Sequence, residues 1–138
     1  MFGEIWIPEA VVNEFAEGQR KGFEVPKPKN YKWIKVVEPA HTPSEWLSLD
    51  LGSGELAAMS LGLENPEKII LLDDLLAREI AKVAGLKVWG TLRVLLEAKS
   101  KGLTDAIEPS IDLLCQQGMW LSNGIRQRIL TLAGENVE

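Results

Sequence analysis

The stretch Lys68–Gly90, KIILLDDLLAREIAKVAGLKVWG, decides the fold. Four aliphatic residues, Ile69 to Leu72, run directly into Asp73 and Asp74. An unbroken aliphatic run of this length reads as a strand covered on both faces, as in a parallel sheet. After it, Leu75, Leu76, Ile80 and Val83 recur at helical spacing and define one apolar stripe. Gly85 stands where a helix ends with a left-handed residue. Lys87–Trp89 then reads as another short strand. Strand, helix and strand in this order indicate a parallel α/β unit.

Working outward, Glu4–Ile7 reads as a strand stopped by Pro8, which also suits a helix first turn. PEAVVNEFAEG places Val11, Val12 and Phe15 on one helix face, with Gly18 as a stop. QRKGFEVPKPKN is basic and rich in Pro and Gly, which marks a loop. Trp33–Val37 is a further strand. Thr42-Pro43 opens a helix with Trp46, Leu47 and Leu49 as core candidates. LGSGELAAMSLGLE follows as a compact helix starting near Ser53 or Gly54. Gly90-Thr91 restarts a helix that Thr91 can cap, which buries Leu92, Leu95, Leu96 and Ala98 and stops at Gly102. Beyond it the chain reads as two helices, Pro109 to Gln117 and Ser122 to Leu132. The expected architecture is a three-layer α/β/α sandwich with a mostly parallel central sheet and a C-terminal helical pair.

The bulk numbers set bounds. The chain has 138 residues, which suits a single domain over 1–138. Hydrophobic residues make up 46% and charged residues 25%, enough for a core without metal or disulfide staples. Cys115 is the only cysteine, which excludes an internal disulfide and fits a reducing compartment such as the cytoplasm. It lies in the apolar pattern IDLLCQQ and is expected to be buried. The start MFGEIWIPEA lacks the pattern of a signal peptide, and no apolar run reaches membrane-span length. The net charge of -5 means that a polyanion partner needs a local basic patch or a bound metal.

In open α/β sheets ligands sit beyond the carboxyl ends of the strands, which is where Asp73 and Asp74 fall. One of them can simply cap the next helix. Two adjacent carboxylates also resist joint ionisation unless a cation compensates, so a metal role stands beside the cap role. Arg78, four residues after Asp74, is expected to form a modest ion pair. A strand ending in two aspartates also opens receiver domains of response regulators. That reading fails because the last strand ends in Gly90-Thr91, with no aspartate and no following Lys-Pro pair. Glu14 on residues alone is an exposed helix acid, and Glu55 a first-turn acid matching the helix dipole. His41 reads as a loop residue, and one His with one Cys does not make a zinc site of ordinary composition. Of Trp6, Trp33, Trp46, Trp89 and Trp120, most are expected in core or interface, and exposed ones could stack on RNA bases. Arg20, Lys21, Lys27, Lys29 and Lys32 cluster in one loop. It is either merely solvated or a phosphate-guiding arm.

IWIPEAVVNEF, LGSGELAAMSLGLE and IILLDDLLAREIAKVAGLKVWGTLRVLLEAKSKGL, in this order, resemble the PIN-domain superfamily. The resemblance covers nearly the whole chain and is closest to short prokaryotic PIN-like proteins related to VapC-type toxins. It implies a metal-dependent endoribonuclease that uses Mg²⁺ or Mn²⁺ to activate water against single-stranded RNA. Residue by residue, Glu14 matches the acid on the helix after the second family strand, and Glu55 the acid opening the middle helix. Asp73 and Asp74 match the acids after the fourth family strand. Thr91 matches the small hydroxyl residue after the last strand, where it could meet a phosphate, and Lys27 and Lys29 become RNA contacts. An antitoxin protein and a homodimer are the implied partners, and the cytoplasm the implied location.

The departure lies at the front. The family opens with an apolar strand ending in an aspartate and then a helix. Here the chain starts directly before IPEAV, so relative to the family it is incomplete at its N-terminus. A longer natural chain, an inactive relative and a gap filled by a partner all follow as explanations. The alternative function is a non-catalytic PIN-like module that binds RNA or protein.

Overall fold

The computed structural model describes residues 1–135. The elements run β1 (Ile5–Ile7), α1 (Glu9–Arg20), β2 (Ile34–Val36), α2 (Ser53–Glu64), β3 (Ile69–Leu71), α3 (Leu75–Val83), β4 (Lys87–Trp89), α4 (Thr91–Ser100), α5 (Glu108–Gln116) and α6 (Asn123–Leu132). Short 3₁₀ turns at Pro28–Asn30 and Ser44–Trp46 interrupt the connections on either side of β2. This is the α/β organisation expected, with strands and helices alternating through β4 and helices alone after it.

Among the described residues the strands form two separate ladders. β1 pairs with β2 in parallel, with Ile5 opposite Ile34, Trp6 opposite Lys35 and Ile7 opposite Val36. β3 pairs with β4. Each strand is three residues long, so each ladder has few hydrogen bonds of its own and depends on helix packing for stability. The Lys68 ammonium, just before β3, lies 4.1 Å from the centre of the Trp6 ring on β1.

Backbone contacts divide the chain into two compact units, one from Met1 to Val88 and one from Trp89 onward. In the first, α2 packs against α1, β3 and α3. Its core gathers Trp46, Met59, Ile70, Leu72, Ala77, Ala81 and Leu86. Gly62 permits the closest approach in this core: a Cβ there would collide with the Ile70 side chain. The segment after β2 is tied to the end of α2, because the Glu64 carboxylate accepts the Ala40 N–H at 2.8 Å. Ser60 adds a hydroxyl contact to Thr42 at 3.1 Å. In the second unit Ile107, Ile111 and Leu130 form a smaller core that the half-buried Leu92, Leu95 and Leu96 cover from α4.

Several local expectations are corrected. The β3 run is covered on one face only: Ile70 and Leu72 are buried while Ile69 and Leu71 are exposed, because the ladder has two strands and one packed side. α3 turns Ala77 and Ala81 inward, where small side chains let it approach α2 closely, and leaves Leu75, Leu76 and Val83 exposed, Val83 at 90%. The Thr42-Pro43 start yields a single 3₁₀ turn in which Trp46 is buried and Leu47 and Leu49 are not. Cys115 is exposed, since α5 turns Ile111 rather than Cys115 to the core. Gly85 does end α3 with φ at +82°, and the Leu86 N–H reaches back to the Ala81 carbonyl at 3.0 Å.

Candidate functional site

Two of the expected acids lie against glycines at the start of α2. Gly54 is buried against α1, and the Glu14 carboxylate occupies the space a Cβ on Gly54 would need, with its carboxyl carbon 3.0 Å from that position. The Glu55 carboxylate folds back over Gly52, the residue capping α2, with its carboxyl carbon 3.3 Å from a Cβ position there. Two glycines therefore cradle two carboxylates at the positive end of one helix, where negative charge is favoured. Glu14 is exposed and Glu55 half-buried, so both remain open to water. Among the described residues neither forms an ion pair.

Asp73 and Asp74 stand at the carboxyl end of β3, both exposed. Asp74 caps α3: its Oδ2 accepts the Ala77 N–H at 2.9 Å. The expected Arg78–Asp74 ion pair is not formed among the described residues, and the Arg78 Nε is buried without a hydrogen-bond partner. Asp73, adjacent to the cap, has interactions of its own. Among the described residues no three acid, histidine or cysteine side chains come together to hold one metal ion.

Thr91 lies in the second unit as the first residue of α4, and the cap is Gly90 rather than Thr91. There too the Arg93 guanidinium lies 4.4 Å from the centre of the Trp89 ring. Lys27 and Lys29 are exposed and flank a cavity of about 390 Å³ lined by Val12, Phe15, Ile34 and Val36, among others. Sequence reasoning missed Gly52 and Gly54 as the cradle. The spacing GSGE contains both glycines, but nothing local shows that Glu14 reaches them from another helix.

A family model described as a PIN domain matches residues 1–135, so the chain belongs to the PIN-domain family. PIN domains have nuclease-type functions, bind nucleic acid and in general use divalent metal ions. No curated protein and no solved structure matches the chain. No helix among the described residues is long and apolar enough to cross a membrane.

The fit to a divalent ion can be judged from the donor set. Magnesium is commonly held by one or two carboxylates, with waters and substrate phosphates completing its shell. Glu14 and Glu55 over the Gly52–Gly54 cradle suit that arrangement and not a complete protein cage. Such an ion, when bound, lowers the pKa of a bound water and offsets charge on a phosphate.

Proposed function

We propose that the protein is a PIN-type endoribonuclease acting on single-stranded RNA in the cytoplasm, with Mg²⁺ or Mn²⁺ as cofactor and with slow cleavage by this chain alone. The observation that supports it is the placement of Glu14 and Glu55 against glycines at the start of α2. In this reading those two carboxylates hold the ion, and Asp73 supports it from the end of β3. Asp74, whose Oδ2 already accepts the Ala77 N–H, would add only negative charge at this strand end, and Thr91, in the other unit, would be a phosphate contact of its own. Cleavage is expected to be slow because, among the described residues, no three carboxylates come together around one ion. The family match runs through both compact units, which supports treating them as one domain. A toxin role with an antitoxin partner, and a homodimer, belong to the same reading.

The second reading is a non-catalytic module that binds RNA or protein. It is favoured by the absence, among the described residues, of any three-carboxylate group. A labelled single-stranded RNA incubated with excess Mn²⁺ separates the two. The first reading expects cleavage that chelator stops and that Glu14→Gln/Glu55→Gln abolishes. Cleavage persisting in either control would sink it, and RNA bound but never cut would establish the second.

A further inference from the structure

The segment from Arg20 to Lys35 carries six basic residues and one acid, Glu24, in a chain whose net charge is -5. Lys27, Lys29, Lys32 and Lys35 are all exposed, and among the described residues none of them makes an ion pair. Among the described residues, Arg20 alone of the six is paired, with Glu17 one helical turn back. Among these cations stand two exposed aromatic rings. Tyr31 and Trp33 are 39% and 48% exposed, and their ring centres lie 5.4 Å apart at a tilt of 56°. A merely solvated loop has no reason to hold two large rings together at the surface, where burial elsewhere would be favoured.

The segment is also ordered by its own backbone. α1 ends in a left-handed Gly22, and the Phe23 N–H reaches the Gly18 carbonyl at 3.0 Å. The 3₁₀ turn at Pro28–Asn30 leads into Tyr31, whose N–H bonds the Pro28 carbonyl at 3.1 Å. The Trp33 carbonyl accepts the Ile5 N–H from β1 at 2.8 Å, which pins the base of the platform to the first ladder. Rings and lysines thus sit on a prepared frame, which lowers the ordering cost of binding.

We propose that residues 20–35 form the docking arm for single-stranded RNA, with bases stacking on Tyr31 and Trp33 and phosphates held by Lys27, Lys29, Lys32 and Lys35. The proposal rests on the RNA reading above and adds the surface and the residues that form it. Unpaired cations beside exposed rings are the combination that tracks a single strand: the charge follows the backbone, and every base offers a face to an aromatic ring. A duplex keeps its bases stacked inside and gains only the charge contacts. The apolar groove between Lys27 and Lys29 gives a further seat for a base, lined by Val12, Phe15, Ile34 and Val36. An acidic protein partner would match the charge and could also bury the rings, so it is separated from RNA by the test below.

The test is fluorescence anisotropy of a labelled RNA of about 12 nucleotides, within the span single-strand binders cover. It is run in chelator, so that neither metal binding nor cleavage enters the readout. The full chain is compared with Trp33→Ala, Trp33→Phe and Lys27→Ala/Lys29→Ala, with circular dichroism melting of each variant. Trp33→Ala should weaken binding roughly tenfold or more with an unchanged salt slope, and Trp33→Phe should retain most of the affinity. The lysine pair should flatten the slope of log affinity against log salt by about 1.4. If Trp33→Ala fails to fold, the lysine slope and Trp33→Phe still decide. RNA binding left unchanged by all three variants would overturn the arm while leaving the RNA reading intact. Binding by no form of the protein in chelator would overturn the arm, and no binding of a non-cleavable strand with Mn²⁺ in place of the chelator would overturn the RNA reading as well. If Trp33→Ala disrupts self-association in sedimentation and leaves RNA binding unchanged, the platform is a protein interface and the proposal fails.

Discussion

The two compact units handle charge in opposite ways. In the unit from Trp89 onward, ionic groups hold the fold. Glu135 accepts the N–H groups of Ile107 at 2.7 Å and Glu108 at 3.1 Å, and pairs with the Lys99 ammonium at 2.9 Å. One carboxylate at the end of α6 thus closes the start of α5 and grips α4. Arg126 pairs with Asp112 at 2.8 Å and approaches Glu108 at 3.6 Å. In the unit from Met1 to Val88 Arg20 pairs with Glu17 inside α1, but the site acids and the loop lysines stay apart. Glu14 and Glu55 lie against glycines at the start of α2, while Lys27, Lys29, Lys32 and Lys35 lie exposed along another segment. Charges paired with each other serve stability, and charges left unpaired at defined positions are available to a ligand.

Breaking the apolar cores should have the largest effect. Ile111 and Met59 are fully buried, one in each unit. Either residue changed to Ala should cost about 2–5 kcal/mol in denaturant unfolding. If the units unfold separately, each substitution should move only its own transition. A single transition lowered alike by both would show that the units are coupled.

Removing the Glu135 charge should have the next largest effect. Burial opposes ionisation of this carboxyl, but the Ile107 and Glu108 N–H groups and the Lys99 ammonium outweigh it and hold its pKa below the usual 4.5. A carboxyl with a lowered folded-state pKa stabilises the fold above its unfolded value. That contribution is lost as pH falls from about 4.5 through the folded value. Glu135→Gln should cost about 1–3 kcal/mol at neutral pH and flatten the acid side of the stability curve. An unchanged acid limb would show that the network adds little.

A smaller effect is expected at the α3 cap. Asp74→Ala should cost about 1 kcal/mol, and Asp74→Asn less, because asparagine also caps. An equal loss from both would mean that the negative charge, rather than the cap hydrogen bond, matters at this strand end.

Much of the first unit was legible because its signals are local. The Asp74 cap, the Gly85 stop and the alternation of strands with helices depend on residues close in the chain. What failed depended on what covers a face. The spacing of Leu75, Leu76, Ile80 and Val83 describes an amphipathic helix truly, but periodicity does not say which side meets the core. Ala77 and Ala81 won because small residues permit closer packing on α2 and β3. Leu47 and Leu49 failed similarly, since one 3₁₀ turn buries only Trp46. Of the site, the acids could be picked out individually. The meeting of Glu14 with Gly54 could not, because a helix–helix contact creates it. The basic loop and Trp33 read as separate features of the sequence, and only their exposure beside Tyr31 joins them into a stacking platform. Nothing local marked Glu135, whose partners come from two other helices.

The proposed nuclease requires the first turn of α2 to bring a divalent ion to RNA. The most direct measurement is a calorimetric titration of Mn²⁺ into the protein already carrying a non-cleavable single-stranded oligonucleotide, beside the Glu14→Gln/Glu55→Gln variant carrying the same strand. A saturable one-site isotherm is expected for the natural chain, and its loss in the variant. Identical isotherms for the two would contradict that requirement.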